Sequence, residues 1–242
     1  MLDTQIFKAA GGEGDQLTRL YVHNDRVTSR YTGVREKPTT GWLMKMSKLF
    51  FRYGAMNSGK STAMLQVAHN YEERDQRVVL VKSSVDTKGD DQIVSRLGVT
   101  RRADLLLSPG QDLRAALQTL SAQRSELNDG VACVLIDEAQ FLTPEQVDQA
   151  LAIAVLDMIP VVAFGIRTDF RTKAFPGSQR LMEVAHSLQE MKTICRCGNK
   201  AIFNARLGDQ GIIREGEQVM IDGEAARYEA LCARCYLEAE GG

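Results

Sequence analysis

The sequence lacks a large net charge, long apolar runs and a signal peptide, and it has few histidines. Each of these absences argues against a class of protein. Its 242 residues carry a formal net charge of −1 and include only three histidines. A chain so nearly neutral has no overall electrostatic attraction for nucleic acid or for an anionic membrane. No apolar run approaches the ~20 residues that a membrane span requires, and the N-terminus lacks the basic start and apolar centre of a signal peptide. We therefore expect a cytoplasmic protein with one good-sized domain and a small satellite.

The scarcity of histidine also bears on catalysis. His23 lies in an irregular N-terminal stretch, and His69 and His186 lie in helical patterns where a solvated or packed role is expected. A histidine general base is therefore disfavoured, which leaves the carboxylates as the candidates for accepting a proton.

One octapeptide carries the strongest chemical signal. It reads Gly54-Ala55-Met56-Asn57-Ser58-Gly59-Lys60-Ser61 and lies between an apolar run and a helical pattern, the setting in which G-x-x-x-x-G-K-[ST] binds nucleotide phosphates. Backbone N–H groups would face the phosphate oxygens, Lys60 would add positive charge, and Ser61 would place its hydroxyl on Mg²⁺. The alternative is a chance turn rich in glycine and serine. The motif predicts that the chain binds ATP or a similar triphosphate.

An acidic pair, Asp137-Glu138, directly follows the apolar run 131–136. Carboxylates at the C-terminal end of a parallel strand face the ligand crevice, so Asp137 is predicted to hold Mg²⁺, directly or through water, together with Ser61. Glu138 is then free to act as general base. The alternative is a surface acidic pair at the end of a strand.

Residues 1–45 differ from the rest of the chain. Glycines at 11–14 and the stretch 36–41 interrupt every periodicity, and no core-forming pattern is present. The segment is predicted to be a non-core extension, either dispensable and disordered or docked as an arm. Because Met46 lies just before the first convincing strand, the folded domain is expected to begin there.

Strand and helix signals alternate from Lys48 onward. Strands are predicted at 49–53, 77–82, 131–136 and 160–164, helices at 60–74, 112–125 and 143–158, and a loop at 86–98. This alternation predicts an α/β fold over residues 46–190, a P-loop NTPase-like (RecA-like) parallel sheet flanked by helices. Residues 191–242 carry short strands and glycines and are predicted to form a small zinc-ribbon-like β domain.

Four of the five cysteines form two close pairs, Cys195 with Cys197 and Cys232 with Cys235. In a cytosolic chain such pairs are typical of metal ligands rather than disulfides. Four thiolates suit tetrahedral Zn²⁺ with no open position, which predicts a structural zinc site, and free thiols are the alternative. Cys133, alone in an apolar strand, is expected in the core.

The stretch 165–177 is too polar and irregular for a helix, and it follows a predicted strand at the edge where crevice loops lie. Phe170 and Phe175 within it, and Tyr228 from the cysteine-bearing segment, either cover a flat ligand base or pack in the interior.

Together these segments resemble the type II thymidine kinase family, which includes bacterial enzymes and the vertebrate cytosolic one. The resemblance is carried, in chain order, by residues 51–61, Ile136-Asp-Glu-Ala-Gln-Phe141, Gly165-Ile-Arg-Thr-Asp-Phe170 and the two cysteine pairs. It covers roughly residues 48–240, so the N-terminal extension has no counterpart in the family pattern.

The resemblance implies transfer of the ATP γ-phosphate to the 5′-hydroxyl of thymidine or deoxyuridine in nucleotide salvage. It also implies a homotetramer, feedback inhibition by dTTP and a structural zinc. Glu138 would be the catalytic base, and Asp137, Glu138, Ala139 and Gln140 would line the nucleotide beside the phosphate loop. The nucleoside would be held by a lasso-like loop at 166–176 and contacted by Phe141, Phe170, Val219, Met220, Ile221, Asp222 and Tyr228.

A nucleic-acid motor or binder is the competing class. The run Asp137-Glu-Ala-Gln140 also resembles the acidic motif of a helicase, and zinc ribbons often bind DNA. Against this class, the chain is short for a two-lobed helicase, is not basic, and has no series of stacking aromatics interleaved with Lys and Arg. An inactive regulatory homologue is a third possibility, which the intact loop and acidic pair disfavour.

Overall fold

The computed structural model describes residues 20–23, 26–29, 47–86, 91–95, 98–124, 130–209, 211–218 and 227–239. The chain divides into two compact units, Met1–Lys45 and Met46–Gly242. The first unit contains an antiparallel hairpin made of β1 (Leu20–His23) and β2 (Arg26–Ser29). The second unit contains the phosphate loop, the acidic pair and the four paired cysteines.

The second unit is built on a parallel sheet of six strands. In spatial order these are β10 (Ser187–Glu190), β3 (Leu49–Tyr53), β9 (Val161–Gly165), β8 (Cys133–Asp137), β4 (Val78–Ser83) and β7 (Leu105–Leu107). Every neighbouring pair is parallel, and the register of β4 and β8 places Lys82 opposite Asp137. The sheet and its helices confirm the predicted α/β fold class.

Helices cover both faces of the sheet, because alternate strand residues point in opposite directions. One face packs against α2 (Leu113–Gln123), α3 (Pro144–Val155) and α4 (Pro176–Val184) through Val79, Val81, Val134, Ile136 and their neighbours. The other face packs against α1 (Lys60–Glu72) through Leu80, Cys133, Leu135 and Phe164. Because both faces of the sheet are buried, the sequences of β4 and β8 are almost continuously apolar. Each fully buried aliphatic side chain contributes ~1.5–3 kcal/mol to the stability of the fold.

Capping residues mark the start of α2 and of α3. The Asp112 carboxylate accepts from the Ala115 N–H at 2.7 Å at the start of α2. At the start of α3, Thr143 and Gln146 form the reciprocal capping box, with Pro144 in the first turn. The box satisfies N–H groups that the first helical turn would otherwise leave without partners.

The C-terminal module follows β10 and is made of short antiparallel strands. β11 (Thr193–Ile194) pairs with β12 (Lys200–Ala201), a three-stranded sheet runs in the order β14 (Gly211–Ile213), β13 (Phe203–Gly208) and β15 (Arg227–Leu231), and α5 (Ala233–Glu238) follows. Its core contains Ala205, Leu231 and Tyr236, and Ala55 of the phosphate loop joins that core. The module is therefore packed directly onto the phosphate loop.

Some elements differ from the sequence expectation. β5 (Gln92–Val94) lies inside the stretch 86–98 that was expected to be a loop, and it pairs with β6 (Thr100–Arg102) just beyond that stretch. Ile93 of β5 is buried. His186 lies between α4 and β10 rather than in a helix, and its Nδ1 accepts from the Leu49 N–H at 3.1 Å. That contact is the packed role expected for this histidine. No described helix has the length and apolar character needed to cross a bilayer.

Candidate active site

Three neighbouring strands end at the same edge of the sheet. β3 leads into the phosphate loop, β8 ends at Asp137, and β9 lies between them and ends at Gly165. The Gly54 N–H donates to the Gly165 carbonyl at 3.3 Å, so the ends of β3 and β9 are joined. The carboxyl edge of a parallel sheet is where a ligand crevice forms. Motifs that are far apart in the sequence therefore meet here.

The phosphate loop turns from β3 into α1 through two residues in the left-handed region, Asn57 with φ 67° and Gly59 with φ 78°. At the start of the loop, a Cβ on Gly54 would lie 2.4 Å from the carbonyl oxygen of Met191. A residue other than glycine does not fit there without displacing backbone. The loop leads into the N-terminus of α1, which begins at Lys60, and the N-terminus of a helix favours an anion.

Lys60 folds back over the loop from the first turn of α1. Its Nζ donates to the carbonyl oxygens of Gly54 at 3.3 Å and Ala55 at 3.0 Å, and to the Ser58 hydroxyl at 3.5 Å. The ammonium group therefore lies at the mouth of the loop. Ser61, the next residue of α1, is partly buried beside it.

Asp137 is the last residue of β8 and is 5% exposed. Burial, and next the negative charge of Glu138, raise the pKa of Asp137 to about 7, while Lys60 acts in the opposite direction. A carboxyl group desolvated in this way gains most from a cation that stabilises its charged form. Carboxylate oxygens such as those of Asp137, and hydroxyl oxygens such as that of Ser61, are hard ligands of the kind that Mg²⁺ prefers.

Glu138 has a backbone conformation that is rare for a residue with a Cβ. Its φ of 47° and ψ of 43° lie in the left-handed region, directly before the 3₁₀ turn Ala139–Phe141. The Gln140 Nε2 group donates to Glu138 Oε2 at 2.6 Å. Strained backbone of this kind concentrates at sites that must aim a side chain.

Gln140 connects Glu138 to the loop after β9. Its side chain is 2% exposed, and its Oε1 accepts from the Ile166 N–H at 3.2 Å. A Cβ on Gly165 would lie 2.8 Å from the same oxygen. The amide therefore fills the space between the 3₁₀ turn and the start of the lasso loop, residues 166–176.

The lasso loop is organised around the buried carboxylate of Asp169. Asp169 Oδ1 accepts from the N–H groups of Arg171 at 2.9 Å and Lys173 at 2.8 Å, and Oδ2 pairs with the Arg171 guanidinium at 2.9 Å. Gln218 Nε2 also donates to Oδ2, at 3.2 Å. The carboxylate thus closes the turn, a role that was not predicted from the sequence although Asp169 lies within one of the recognised motifs.

The aromatic side chains of the site form two groups. Phe141 packs edge-on against Phe175 of the lasso loop, with ring centroids 5.8 Å apart. Phe170 is 2% exposed, and its carbonyl accepts from the Tyr236 hydroxyl at 2.7 Å. Tyr228 lies half-buried on β15. Val219, Met220, Ile221 and Asp222, to which the resemblance assigns nucleoside contacts, lie outside the described residues.

Asn204 of β13 joins the phosphate loop to the lasso loop. Its Oδ1 accepts from the Met56 N–H at 2.6 Å, and its Nδ2 donates to the Thr168 carbonyl at 3.2 Å. Neither Asn204 nor Arg206, two positions along the same strand, was predicted from the sequence. Alternating polar residues in a strand are equally typical of a solvated face, so their spacing gave no sign of burial.

The four paired cysteines converge at one point of the module. Their sulfur atoms all lie within 4.8 Å of one another, and Cys197 Sγ is 3.6 Å from Cys232 Sγ. Zn–S bonds of ~2.3 Å in a tetrahedron place sulfurs ~3.8 Å apart, so the cluster could hold a metal ion of this kind. Gly198, with φ 86°, makes the tight turn between the first ligand pair and β12.

Hydrogen bonding already favours a thiolate in this cluster. The backbone N–H of Asn199, followed by Cys235 and Cys232, lowers the pKa of the Cys197 thiol to about 6. Hydrogen bonds with Cys197, and next with Cys195 and Cys232, raise the pKa of Cys235 to about 12. A metal ligand must be deprotonated, so Cys197 is prepared for binding and Cys235 needs the cation.

The sequence matches known proteins over most of its length. A family model described as thymidine kinase matches residues 47–236. The chain is 48% identical over 193 residues to the thymidine kinase of Chromobacterium violaceum, covering 79% of this chain and 98% of that one. It is 48% identical to the thymidine kinase of Idiomarina loihiensis, covering 81% and 99%, and 44% identical to that of Rhizobium meliloti, covering 78% and 95%. The strand ends, phosphate loop and cysteine cluster lie within these matches, and the chain therefore belongs to the thymidine kinase family.

Proposed function

We propose that the enzyme transfers the γ-phosphoryl group of ATP to the 5′-hydroxyl of thymidine, and of deoxyuridine, with Glu138 as general base. The observation that carries this proposal is the position of Glu138. It follows the last residue of β8, at the sheet edge from which the phosphate loop and the lasso loop also leave, and its carboxylate is held by Gln140, which also binds the Ile166 N–H of the lasso loop. A base at this point can reach an acceptor hydroxyl placed between the two loops.

The phosphate loop forms the donor half of the proposed site. Its N–H groups at the start of α1 and the Lys60 ammonium bind and orient the triphosphate. Charge that develops on the transferred group is stabilised by donors already in place, and this positioning supplies most of the acceleration expected for phosphoryl transfer.

Glu138 accepts the proton of the 5′-hydroxyl as the hydroxyl oxygen bonds to the γ-phosphorus, while the bond from that phosphorus to the bridging oxygen breaks and ADP leaves. The left-handed backbone and the hydrogen bond from Gln140 fix where the carboxylate points. General-base catalysis of this kind contributes roughly 10²–10⁴-fold to the rate.

The lasso loop and the C-terminal module form the acceptor half. We assign nucleoside contacts to Phe141, Phe170 and Tyr228, and to residues 219–222. Support comes from Asp169, which closes the lasso loop and also binds Gln218, the residue next to that segment.

Two metal ions belong to the proposal. Zn²⁺ would be held by Cys195, Cys197, Cys232 and Cys235, where four sulfurs converge, and would stabilise the module. Mg²⁺ would be held with ATP by Ser61 and Asp137, and when bound it supplies positive charge at the phosphates.

We extend the proposal to regulation and organisation. The family resemblance supports feedback inhibition by dTTP and a homotetramer. Free cysteines arranged as metal ligands favour a reducing compartment, which supports a location in the cytoplasm.

We also assign residues 46–190 to the kinase domain and residues 191–242 to the zinc-binding domain, with residues 1–45 as a non-core extension.

One assay tests the central proposal. The full chain is incubated with ATP, Mg²⁺ and thymidine, with and without dTTP, and formation of dTMP is measured. Rapid dTMP formation that dTTP suppresses is expected. ATP hydrolysis stimulated by nucleic acid, with no dTMP formed, would contradict the proposal and favour a motor.

A further inference from the structure

The strand β13 carries a buried arginine that has no role in the chemistry described above. Arg206 is 3% exposed, and its neighbour Ala205 points into the core of the C-terminal module. Arg206 therefore points to the opposite face of β13, the face on which Asn204 reaches the phosphate and lasso loops. A guanidinium buried to this degree must be satisfied by the groups around it.

Three separate segments surround the Arg206 guanidinium. Its central carbon lies 3.7 Å from the ring centroid of Phe170 in the lasso loop. Its Nε donates to the Tyr228 hydroxyl on β15 at 3.0 Å, and one terminal nitrogen donates to the Glu217 carbonyl at 3.1 Å. Phe170 and Tyr228 are two of the residues assigned to the nucleoside, and Glu217 lies just before the third assigned segment, 219–222. Arg206 thus contacts two of the residues assigned to the nucleoside and the backbone two positions before a third assigned segment.

The geometry uses properties that arginine alone combines. A planar guanidinium stacks on an aromatic face while its N–H groups donate in the plane of the group. Here the face of the Arg206 guanidinium lies against the Phe170 ring, and its N–H groups donate to the Tyr228 hydroxyl and the Glu217 carbonyl. Both acceptor atoms are neutral oxygens. Lysine would keep the charge but could not stack and donate in two fixed directions at once.

The backbone at Gly216 also borders the Arg206 guanidinium and the Phe170 ring. A Cβ on Gly216 would lie 3.5 Å from one terminal nitrogen of Arg206 and 4.0 Å from the Phe170 ring. Arg171 of the lasso loop also donates to the Gly216 carbonyl at 2.9 Å. The lasso loop and the chain around Gly216 are therefore held together beside the Arg206 guanidinium.

We propose that Arg206 is a positioning residue that fixes Phe170 and Tyr228, together with the backbone at Glu217, as one nucleoside-binding wall. It acts through these residues rather than by touching the reacting atoms. The inference rests on the proposed function, because the wall matters only if a nucleoside binds there. Loss of Arg206 weakens nucleoside binding and leaves the phosphate loop intact.

Steady-state kinetics on the full chain test the proposal with matched variants. Arg206→Met removes the hydrogen bonds and the charge but keeps an apolar stem, and Arg206→Lys keeps the charge. Arg214→Met is the control, because Arg214 is an arginine of the same module that stacks on the Tyr236 ring and donates to the Tyr236 and Ala239 carbonyls. It has no described direct contact with Phe170 or Tyr228, although the Tyr236 hydroxyl bonds to the Phe170 carbonyl. The KM values for thymidine and ATP, the melting temperature and the zinc content are measured for each.

Arg206→Met is expected to raise the KM for thymidine by about tenfold or more, with the KM for ATP changed less than about twofold. Arg206→Lys should recover only part of the lost affinity for thymidine. Millimolar guanidinium should partly restore the KM for thymidine in Arg206→Ala and should leave that KM unchanged in Arg214→Ala. Arg214→Met should lower the melting temperature without a selective change in the KM for thymidine.

Equal changes in both KM values, or the same kinetics in the Arg206 and Arg214 variants, would mean a purely structural role and would overturn the inference. Misfolding of both Arg206→Met and Arg206→Lys, seen as lost zinc and lost melting transition, would overturn it as well. Failure of the unmodified enzyme to phosphorylate thymidine would instead refute the proposed function, which separates the two results.

Discussion

The side-chain amide of Gln140 joins the proposed base to the proposed acceptor loop. Its nitrogen donates to Glu138 Oε2 at 2.6 Å and its oxygen accepts from the Ile166 N–H at 3.2 Å. Since Ile166 is the first residue of the lasso loop, one buried side chain contacts both the carboxylate and that loop. The position of the base is thereby tied to the state of the loop that would hold the nucleoside.

Glu138→Gln tests the assigned base most directly. The amide oxygen can still accept from Gln140, so the geometry is kept and the proton acceptor is lost. We expect kcat to fall by roughly 10²–10⁴-fold, with the KM for ATP nearly unchanged. Initial-rate measurements at saturating thymidine check this, and a near-normal kcat would exclude Glu138 as the base.

Gly165→Ala tests the close approach beneath Gln140. The added Cβ would lie 2.8 Å from Gln140 Oε1 and 3.2 Å from its backbone nitrogen. Because Gln140 is held in place by its own hydrogen bonds, we expect a loss of ~1–3 kcal/mol in the free energy of unfolding together with a lower kcat. Gly110→Ala is the matched control, since nothing lies within 4 Å of the position that its added methyl group would take. Equal urea denaturation curves for the two variants would contradict the prediction.

Cys197→Ser tests the metal cluster. Cys197 Sγ lies 3.6 Å from Cys232 Sγ and its pKa is lowered to about 6, so it is the ligand best prepared to bind. We expect the variant to lose bound zinc and to melt at a lower temperature, because metal binding is coupled to folding of the module. Cys133→Ala is the control, since that thiol is buried in the core and distant from the cluster in sequence. The zinc content of both variant proteins is measured. Full zinc content in Cys197→Ser would refute the assignment of Cys197 as a zinc ligand.

Much of the site could be predicted from sequence because its signals are local. The loop from Gly54 to Ser61 and the pair Asp137-Glu138 have fixed spacing and lie at strand ends, and the sheet edge brings them together as parallel topology requires. The capping box of Thr143 and Gln146 was predictable for the same reason.

The elements that were missed have weak local signals or depend on distant partners. β7 and β5 have three residues each, too few for a periodic pattern, and β10 carries one exposed leucine among polar residues. Asn204 owes its role to a hydrogen bond with Met56, 148 positions away in the chain. No local pattern can reveal such a contact.

A chain that begins at Met46 tests the boundary of the folded enzyme. The phosphate loop, acidic pair, lasso loop and cysteine cluster all lie within the second compact unit, Met46–Gly242. We expect this shorter chain to keep kcat and both KM values within about twofold of the full chain, because no proposed site residue is removed. A large loss of activity in a chain that still melts cooperatively would assign residues 1–45 a functional role.

Asn204→Ala tests whether the donor and acceptor halves are held together through β13. The substitution leaves the Met56 N–H and the Thr168 carbonyl without the partner that each has in the structure. Leaving a buried polar group without a partner costs ~1–3 kcal/mol, and at these part-buried groups we expect the lower end, which corresponds to about fivefold to tenfold in binding. Because one bond serves each loop, we expect both KM values to rise, unlike the selective change expected for Arg206.

Asn204→Asp separates the two bonds. Its carboxylate can still accept from the Met56 N–H but cannot donate to Thr168, so the lasso loop loses its contact while the phosphate loop keeps one. Calorimetric titration of thymidine in the absence of ATP isolates the loss at the lasso loop from any charge effect on the phosphates. Wild-type thymidine affinity in both Asn204 variants would show that β13 does not couple the loops, whereas weaker binding in both would place the coupling at this one side chain.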